Sequence, residues 1–245
     1  MQSIIRAMHI AKMLAQHSID LGVPISDLSK LCDLPISTMH RLLQAMIKQG
    51  MVEQDELTKK YRLGPIWLEY GLQVYDQMDY VSKIRPELER LSKIVEESVY
   101  LSKPLETEAI VMERIDNPNN PIRVYDQMGV RIPMNIGAAN KSMLAALPVE
   151  KSKTILSKLL SAEQIPEMLQ LLEEIRRNGY ATSHSERTEG TSSVAVPIKD
   201  HFGTVIGAVS IGFVSFNLTE ERLHFLAQQV METGKRINQR LGASV

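Results

Sequence analysis

Apolar residues near the start of the chain return at helical spacing: Ile4, Met8, Ala11 and Leu14 or Ala15 form one stripe of an amphipathic helix. That helix is expected to end near the turn-forming Asp20-Leu21-Gly22, and Val23-Pro24-Ile25 separates it from the next. Ser26 is a good N-cap for a short second helix with Leu28, Leu31 and Cys32 on its inner face, closed by Asp33 and Pro35. After Pro35, Met39, Leu42, Leu43, Met46 and Ile47 obey the i, i+3, i+4, i+7, i+8 rule and fix the buried stripe of a third helix. Ser37, Thr38, His40, Arg41 and Gln44 therefore lie off that stripe, near the helix start. Beyond Gly50 the period shortens to that of strands. Met51 to Gln54 and Lys59 to Leu63 flank a polar Asp55-Glu56-Leu57-Thr58 connection and predict a hairpin.

From Gly64 to Asp79 an apolar and aromatic segment with Ile66, Trp67, Leu68, Tyr70, Leu72, Val74 and Tyr75 predicts a connecting helix rather than a flexible linker. The chain thus divides into residues 1–63, a linker helix over 64–79, and a second domain over 80–245. The second domain opens with a helix from Tyr80 to Glu97, carrying Val81, Ile84, Leu88, Leu91, Ile94 and Val95 at helical spacing. The segments "SVYLSKPL", "AIVMERI" and "IRVYD" read as strands, with turns at Glu106-Thr107-Glu108 and over the Pro/Asn-rich 116–121. Their short connections require antiparallel pairing, because a parallel crossover needs about a dozen residues. Gly137, Ala138, Ala139 and Ala145 mark a loop entering a helix near Lys141. Helices from Val149 to Leu160 and from Ala162 to Asn178 follow, the second stopped by Gly179. Strands are predicted from Tyr180 to Ser183, Thr191 to Lys199 and Thr204 to Phe213. Leu218, Leu223, Leu226, Val230, Ile237 and Leu241 then mark a final helix. On the last two strands Ser193, Ala195 and Pro197, and likewise Ala208, Ser210 and Gly212, share a small or hydroxylic face opposite a face of branched and aromatic residues. Such a face leaves room for a ligand.

Composition narrows the function. With 44% apolar and 23% charged residues the chain can build ordinary packed cores, and no apolar run approaches a membrane span of roughly 18 residues. A single cysteine, Cys32, excludes an internal disulfide and any CxxC metal site, and fits a reducing, cytoplasmic setting; it is read as core filling. The net charge of -1 argues against a nucleic-acid partner until its distribution is considered. Between Met1 and Arg62 eight cationic side chains face six acidic ones, a balance of about +2. Two short helices, a turn and a hairpin make a helix-turn-helix with a wing, in which the start of the second helix meets base edges in the major groove. Ser37, Thr38, His40, Arg41 and Gln44 occupy that end, and Lys59, Lys60 and Arg62 give the wing contacts for phosphates. Asp55 and Glu56 oppose deep insertion of the wing tip. The alternative, a merely solvated polar face on three helices, fits the agreement among these features less well.

The segments "SIIRAMHIAKML", "LPISTMHRLLQAMIKQGMV", "YRLGPIWLEYG", "MGVRIPMNIGAANKSMLAAL" and "IRRNGYATSHSERTEGTSSVAVPIKDHFGTVIGAVSIG" together resemble the IclR family of bacterial transcriptional regulators over nearly the whole chain. The resemblance implies a two-domain fold: a winged helix-turn-helix, a linker helix, and an α+β, GAF-like effector domain with an antiparallel sheet. It also implies homodimers or dimers of dimers, a pseudo-palindromic double-stranded DNA operator, a small organic-acid effector, and no enzymatic activity. By alignment with the family, Ile132, Ala138, Ala139, Ser183, Thr191, Ser193, Ser210 and Gly212 line the effector cavity. The helix start near Lys141 offers backbone N–H groups and a positive dipole end to a carboxylate, although the small residues there serve equally for close helix packing. This chain departs from its relatives at three places. Asn140 stands where glycine is usual, and is the next-best residue if positive φ is needed there. Ser183 replaces an acidic residue, which eases an anionic ligand, and Gly212 replaces a serine, which enlarges the site. Glu186 and Gly190 match a structural pattern in which the carboxylate ties down a loop and the glycine turns it.

The expected function is a regulator, more often repressor than activator, whose operator affinity follows a carboxylate or sugar-acid effector. No cofactor, metal ligand set or catalytic residue is assigned. The competing readings are a DNA-binding or partner-binding protein whose GAF-like domain holds no ligand, and a small-molecule hydrolase. A hydrolase would draw on His184 and Glu186 with Ser183, Ser185 or Ser193, but no nucleophile elbow, HExxH or P-loop is present.

Overall fold

The structure is a computed structural model that describes residues 2–17, 22–120, 124, 126–216 and 218–243. Two compact units emerge, Met1–Asp79 and Tyr80–Val245. The first contains α1 (Gln2–His17), α2 (Ile25–Leu31), α3 (Ile36–Lys48), strands β1 (Val52–Gln54) and β2 (Tyr61–Leu63), and α4 (Ile66–Asp76). Its core is Ile10, Ala11, Leu14, Leu28, Met39, Leu43, Met46, Val52 and Tyr61. The hairpin β1–β2 is antiparallel, and Val23 adds a bridge to Tyr61 through two mutual N–H to C=O bonds of 2.8 Å. This bridge docks the wing onto the chain entering α2.

Several expectations shift here. The core lies under the second half of α1 only, so Ile4 and Met8 are exposed and Ile10 joins Ala11 and Leu14 on the buried face. Pro24, at φ -69° and ψ 153°, takes the N-cap position of α2, and its carbonyl accepts the Asp27 and Leu28 N–H groups. Ser26 therefore sits inside the helix, its hydroxyl turned to Asp27. With only seven residues, α2 buries Leu28 alone, while Leu31 faces solvent and Cys32 is half-buried. Asp33 holds φ 50°, a left-handed value that lets the chain reverse ahead of Pro35 and α3. The turn expected at Asp20-Leu21 lies outside the described residues.

In the second unit, α5 (Asp79–Val95) leads to β3 (Ser98–Leu105), β4 (Glu108–Ile115) and β5 (Arg131–Pro133), then α6 (Ala138–Ala146), α7 (Val149–Leu156) and α8 (Ile165–Asn178). The strands β6 (Ala181–His184), β7 (Thr191–Lys199) and β8 (Val205–Val214) and the long α9 (Glu220–Arg240) complete it. The six strands form one antiparallel sheet in the order β5-β4-β3-β8-β7-β6. The strand expected at 122–126 lies mostly outside the described residues. Ile94, expected in the core, is exposed because α5 buries Leu91 and Val95 beside it. Helix α7 stops at Leu156 in a run of turns, and α8 starts only at Ile165, where Pro166 suits a first helical turn because it has no N–H to leave unpaired. Gly179 ends α8 at φ 80°, a conformation L side chains avoid.

Helices lie on both sides of the sheet. On one, α9 approaches β7 so closely that a Cβ on Gly234 would stand 2.6 Å from Val196 Cγ2. The buried Glu87 of α5 is held there by Arg90 (2.9 Å) and Arg240 (2.6 Å), while Arg90 also donates to the Thr233 hydroxyl of α9 at 2.9 Å. The other side carries α6, α7 and α8, whose Met143, Leu144, Leu156, Leu172 and Ile175 pack with Ala109, Ala181, Ala195 and Ala208 of the sheet. Alanines on that side let α6 sit low on the strands.

The join between wing and α4 is the tightest backbone contact of the first unit. Gly64 donates its N–H to Met51 O at 2.9 Å, and a Cβ at Gly64 would fall 2.1 Å from Gly50 O. Trp67 adds an indole N–H bond of 2.7 Å to the same Met51 carbonyl. Gly64→Ala is expected to destabilise the first unit by about 2 kcal/mol or more, because backbone atoms must part to admit the methyl group. Thermal unfolding followed by Trp67 fluorescence measures this, and an unchanged transition would refute it.

Candidate functional site

In the first unit Ser37, His40, Arg41 and Gln44 are exposed on α3 and Thr38 is half-buried, opposite the core residues Met39, Leu43 and Met46. The expected stripe holds, with Leu42 and Ile47 packed at its margin. Pro35 caps the helix with φ -56° and ψ 142° and leaves the polar end unobstructed. The wing strands are shorter than expected, and Lys59 and Lys60 fall in the turn because Lys59 adopts φ 57°. Lys59 is exposed, Lys60 half-buried, and Arg62 pairs across the hairpin with Glu53 at 3.0 Å. That pair is exposed on both sides, so it holds Arg62 weakly.

The acid at the wing tip has a specific task. The Asp55 carboxylate accepts N–H bonds from Leu57 (3.1 Å) and Thr58 (2.7 Å) and the Thr58 hydroxyl (2.8 Å). These bonds, those from Thr58 foremost, hold its carboxyl below the usual range. Asp55 therefore shapes the turn.

In the second unit one cavity of about 80 Å³ lies between the small-residue face of the sheet and the start of α6. Its wall gathers Ile132, Ala138, Ala139, Ser183, Thr191, Ser193, Ser210 and Gly212. Strand register explains the grouping: Ser183 pairs with Ser193 and Ser193 with Gly212, so one row of small groups crosses three strands. Gly212 does not enlarge the space as expected. A Cβ there would stand 3.0 Å from Tyr100 Cε2 and 3.5 Å from Val124 Cβ, so the missing side chain makes room for the tyrosine ring. The Tyr100 hydroxyl donates to Val124 O. Burial pushes its phenol up, which keeps it a neutral donor.

The entrance to α6 departs from expectation in two ways. The positive φ belongs to Gly137, at 85°, whereas Asn140 lies within the helix. Asn140 is buried and its side-chain amide donates to Ile132 O (3.1 Å) and Pro133 O (2.9 Å), clamping α6 to β5. The helix start is also partly occupied. Glu186 accepts the Gly137 N–H at 2.8 Å and pairs through its other oxygen with the buried Lys141 ammonium, and the Ala138 N–H points to Ser193 Oγ at 3.4 Å. Glu186 thus ties the β6–β7 loop to the helix, while Gly190 turns that loop at φ 73°.

Composition and spacing did not flag Tyr100, Asp126, Asn140 and Arg187 as cavity residues, although all four line it. Asp126 and Arg187 form a 2.6 Å ion pair on the cavity wall. They are 61 residues apart in sequence and belong to loops, so no periodicity marks them. The acid and base that a hydrolase would need are bound elsewhere: His184 Nδ1 lies 2.8 Å from Ser192 Oγ, and Glu186 serves Gly137 and Lys141. Among the described residues no His, Cys, Asp and Glu cluster fits a metal ion, and no helix is long and apolar enough to cross a membrane.

A family described as bacterial transcriptional regulator IclR C-terminal matches residues 72–239, and the IclR helix-turn-helix domain matches residues 3–56. The chain belongs to the IclR family. Its members are transcriptional regulators, not enzymes. The regulator KipR of Bacillus subtilis is 29% identical over 228 residues, covering 90% of each chain. The transcriptional repressor AllR of Escherichia coli is 28% identical over 225 residues, covering 89% of this chain and 83% of its own. Among solved structures, an IclR homologue from Microbacterium hydrocarbonoxydans, complexed with 4-hydroxybenzoate, superposes with a TM-score of 0.80 at 23% identity, covering 99% of this chain and 100% of its own. That likeness establishes the winged helix-turn-helix and the α+β domain with its curled antiparallel sheet as the family fold.

The wing should respond to acid in a defined direction. Because the folded Asp55 carboxyl is held below its unfolded value of roughly 3.9, its stabilisation is present above that value and lost as pH falls through the folded one. Amide hydrogen exchange at Thr58 is expected to lose protection in that window, and Asp55→Ala to lose it already at neutral pH; protection unaffected by the substitution would contradict the role.

Proposed function

We propose that this IclR-family chain is a transcriptional repressor whose grip on its operator is set by a small organic acid bound in the cavity of the second unit. The observation that carries this reading is the convergence of Ser183, Ser193 and Ser210 with the start of α6 on one cavity, in a chain whose α3 presents Arg41 and its polar neighbours to solvent. Serine hydroxyls are donors, and an acid is a ligand of acceptors. The naming of AllR as a repressor and the 4-hydroxybenzoate in the Microbacterium structure support the sign of control and the effector class.

In this mechanism a homodimer or dimer of dimers in the cytoplasm sets paired α3 helices into successive major grooves of a pseudo-palindromic site. Ser37, Thr38, His40, Arg41 and Gln44 contact bases or phosphates, and Lys59, Lys60 and Arg62 contact the backbone. Leu68, Tyr70, Leu72 and Val74, exposed on α4, supply apolar surface for the pairing. The chain divides at 63 and 79 into reading domain, linker helix and effector domain. The effector binds one arrangement of subunits better and shifts its population, so effector and operator change one another's affinity by the same factor.

Fluorescence anisotropy with labelled duplex from upstream of the gene, against scrambled duplex at two salt concentrations, tests the reading. Preferential, salt-sensitive binding is expected, and equal weak binding to both duplexes counts against it. Arg41→Ala should remove the preference, a loss of about 1–3 kcal/mol per base contact, with the second unit still folded. Ser210→Phe should leave operator binding intact and abolish the effector response by filling the cavity. An unaltered response would place the effector elsewhere.

A further inference from the structure

The cavity as it stands is small. Ligand sites commonly enclose roughly 300–1,000 Å³, whereas this one holds about 80 Å³, so it suits a compact acid. The sheet floor is fixed by its ladders, and the α6 side is fixed by Asn140 on β5 and Glu186 on Gly137 and Lys141. The remaining wall carries the Asp126–Arg187 pair and the Tyr100 ring, whose hydroxyl donates to Val124 O.

Charge points to the same place. An anion entering the cavity finds the Gly137 N–H already given to the Glu186 carboxylate, whose charge also neutralises Lys141. Among the described lining residues the cation left is Arg187, and its partner is the carboxylate of Asp126. An ion pair of this kind can be exchanged for an equivalent one with little net electrostatic loss, provided that the released carboxylate is accommodated.

We infer that Arg187 selects the effector by charge: the ligand's carboxylate replaces Asp126 on the Arg187 guanidinium. The inference rests on the reading of this cavity as the effector site. Asp126 is faced by Arg187 from the β6–β7 loop, by Arg114 of β4, whose guanidinium donates to the Asp126 main-chain O at 3.2 Å, and by the Tyr100 hydroxyl of β3, which accepts its N–H at 3.5 Å. Burial pushes the Asp126 carboxyl up against the pull of Arg187 and Arg114. Released from Arg187, it loses the nearer pull, which favours its protonated form. Anion binding is therefore coupled to proton uptake, and affinity falls as pH rises through the range where free Asp126 ionises.

The test uses the full chain titrated calorimetrically with 4-hydroxybenzoate, pyruvate and glycerate, each beside its neutral amide, in wild type, Arg187→Gln and Asp126→Asn, with melting temperatures as a folding control. At least one acid is expected to bind wild type roughly tenfold or more tightly than its amide, and Arg187→Gln to remove that margin while sparing the amide. Asp126→Asn should bind the acid more tightly than wild type and with a flattened pH dependence, a gain that damage to the fold does not produce. An acid bound equally by wild type and Arg187→Gln, or weakened by Asp126→Asn as much as by Arg187→Gln, overturns the role of Arg187 and leaves the effector site standing. Neutral ligands binding in preference to acids have the same meaning. No binding by any of the six compounds removes the organic-acid reading of the cavity and this inference with it.

Discussion

The second unit is organised around one carboxylate. Glu186 leaves the β6–β7 loop, accepts the N–H of Gly137 at the N-cap of α6, and neutralises a lysine whose side chain is only 5% exposed. A buried ammonium without such a partner would cost several kcal/mol of desolvation, so helix and loop cannot separate without exposing Lys141. Fixing α6 against the sheet then sets everything else: the alanine contacts beneath it, the Asn140 clamp on β5, and the cavity left between the helix start and the hydroxyl-bearing strands. The same carboxylate changes the electrostatics of that cavity by using the dipole end of α6 that an incoming anion would otherwise enjoy.

The first unit solves a different problem with backbone contacts. Its hydrophobic core is small, so the wing is held by the Val23–Tyr61 bridge, the close approach of Gly64 to Gly50 and the Trp67 bond to Met51. The start of α3 is thereby free of structural duty. Ser37, His40, Arg41 and Gln44 are exposed there, and the acid at the wing tip is absorbed in shaping the turn that carries Lys59 and Lys60.

Periodic features were legible from the residues alone. The α3 stripe, the β3–β4 and β7–β8 pairs, and the small face of the last strands follow from spacing, because burial on one face imposes it. Features set by neighbours distant in sequence were not. Ile4 and Met8 look buried until the extent of the core beneath α1 is known, and Ser26 looks like a cap until Pro24 takes that place. Asn140 and Gly212 invite readings from their own side chains, yet one answers to the carbonyls of β5 and the other to the ring of Tyr100. The Asp126–Arg187 pair joins two irregular loops, where no periodicity exists to read.

Among the described residues the six-stranded sheet ends on its two shortest strands, β5 with three residues and β6 with four. Pro133 at the end of β5 has no N–H to offer, and the β5 carbonyls of Ile132 and Pro133 are taken by Asn140. Neither margin presents a long row of open donors and acceptors to another chain. The sheet is thus guarded against joining copies of the chain edge to edge into fibres, which leaves side chains on helices as the surfaces where a partner and its register can be specified.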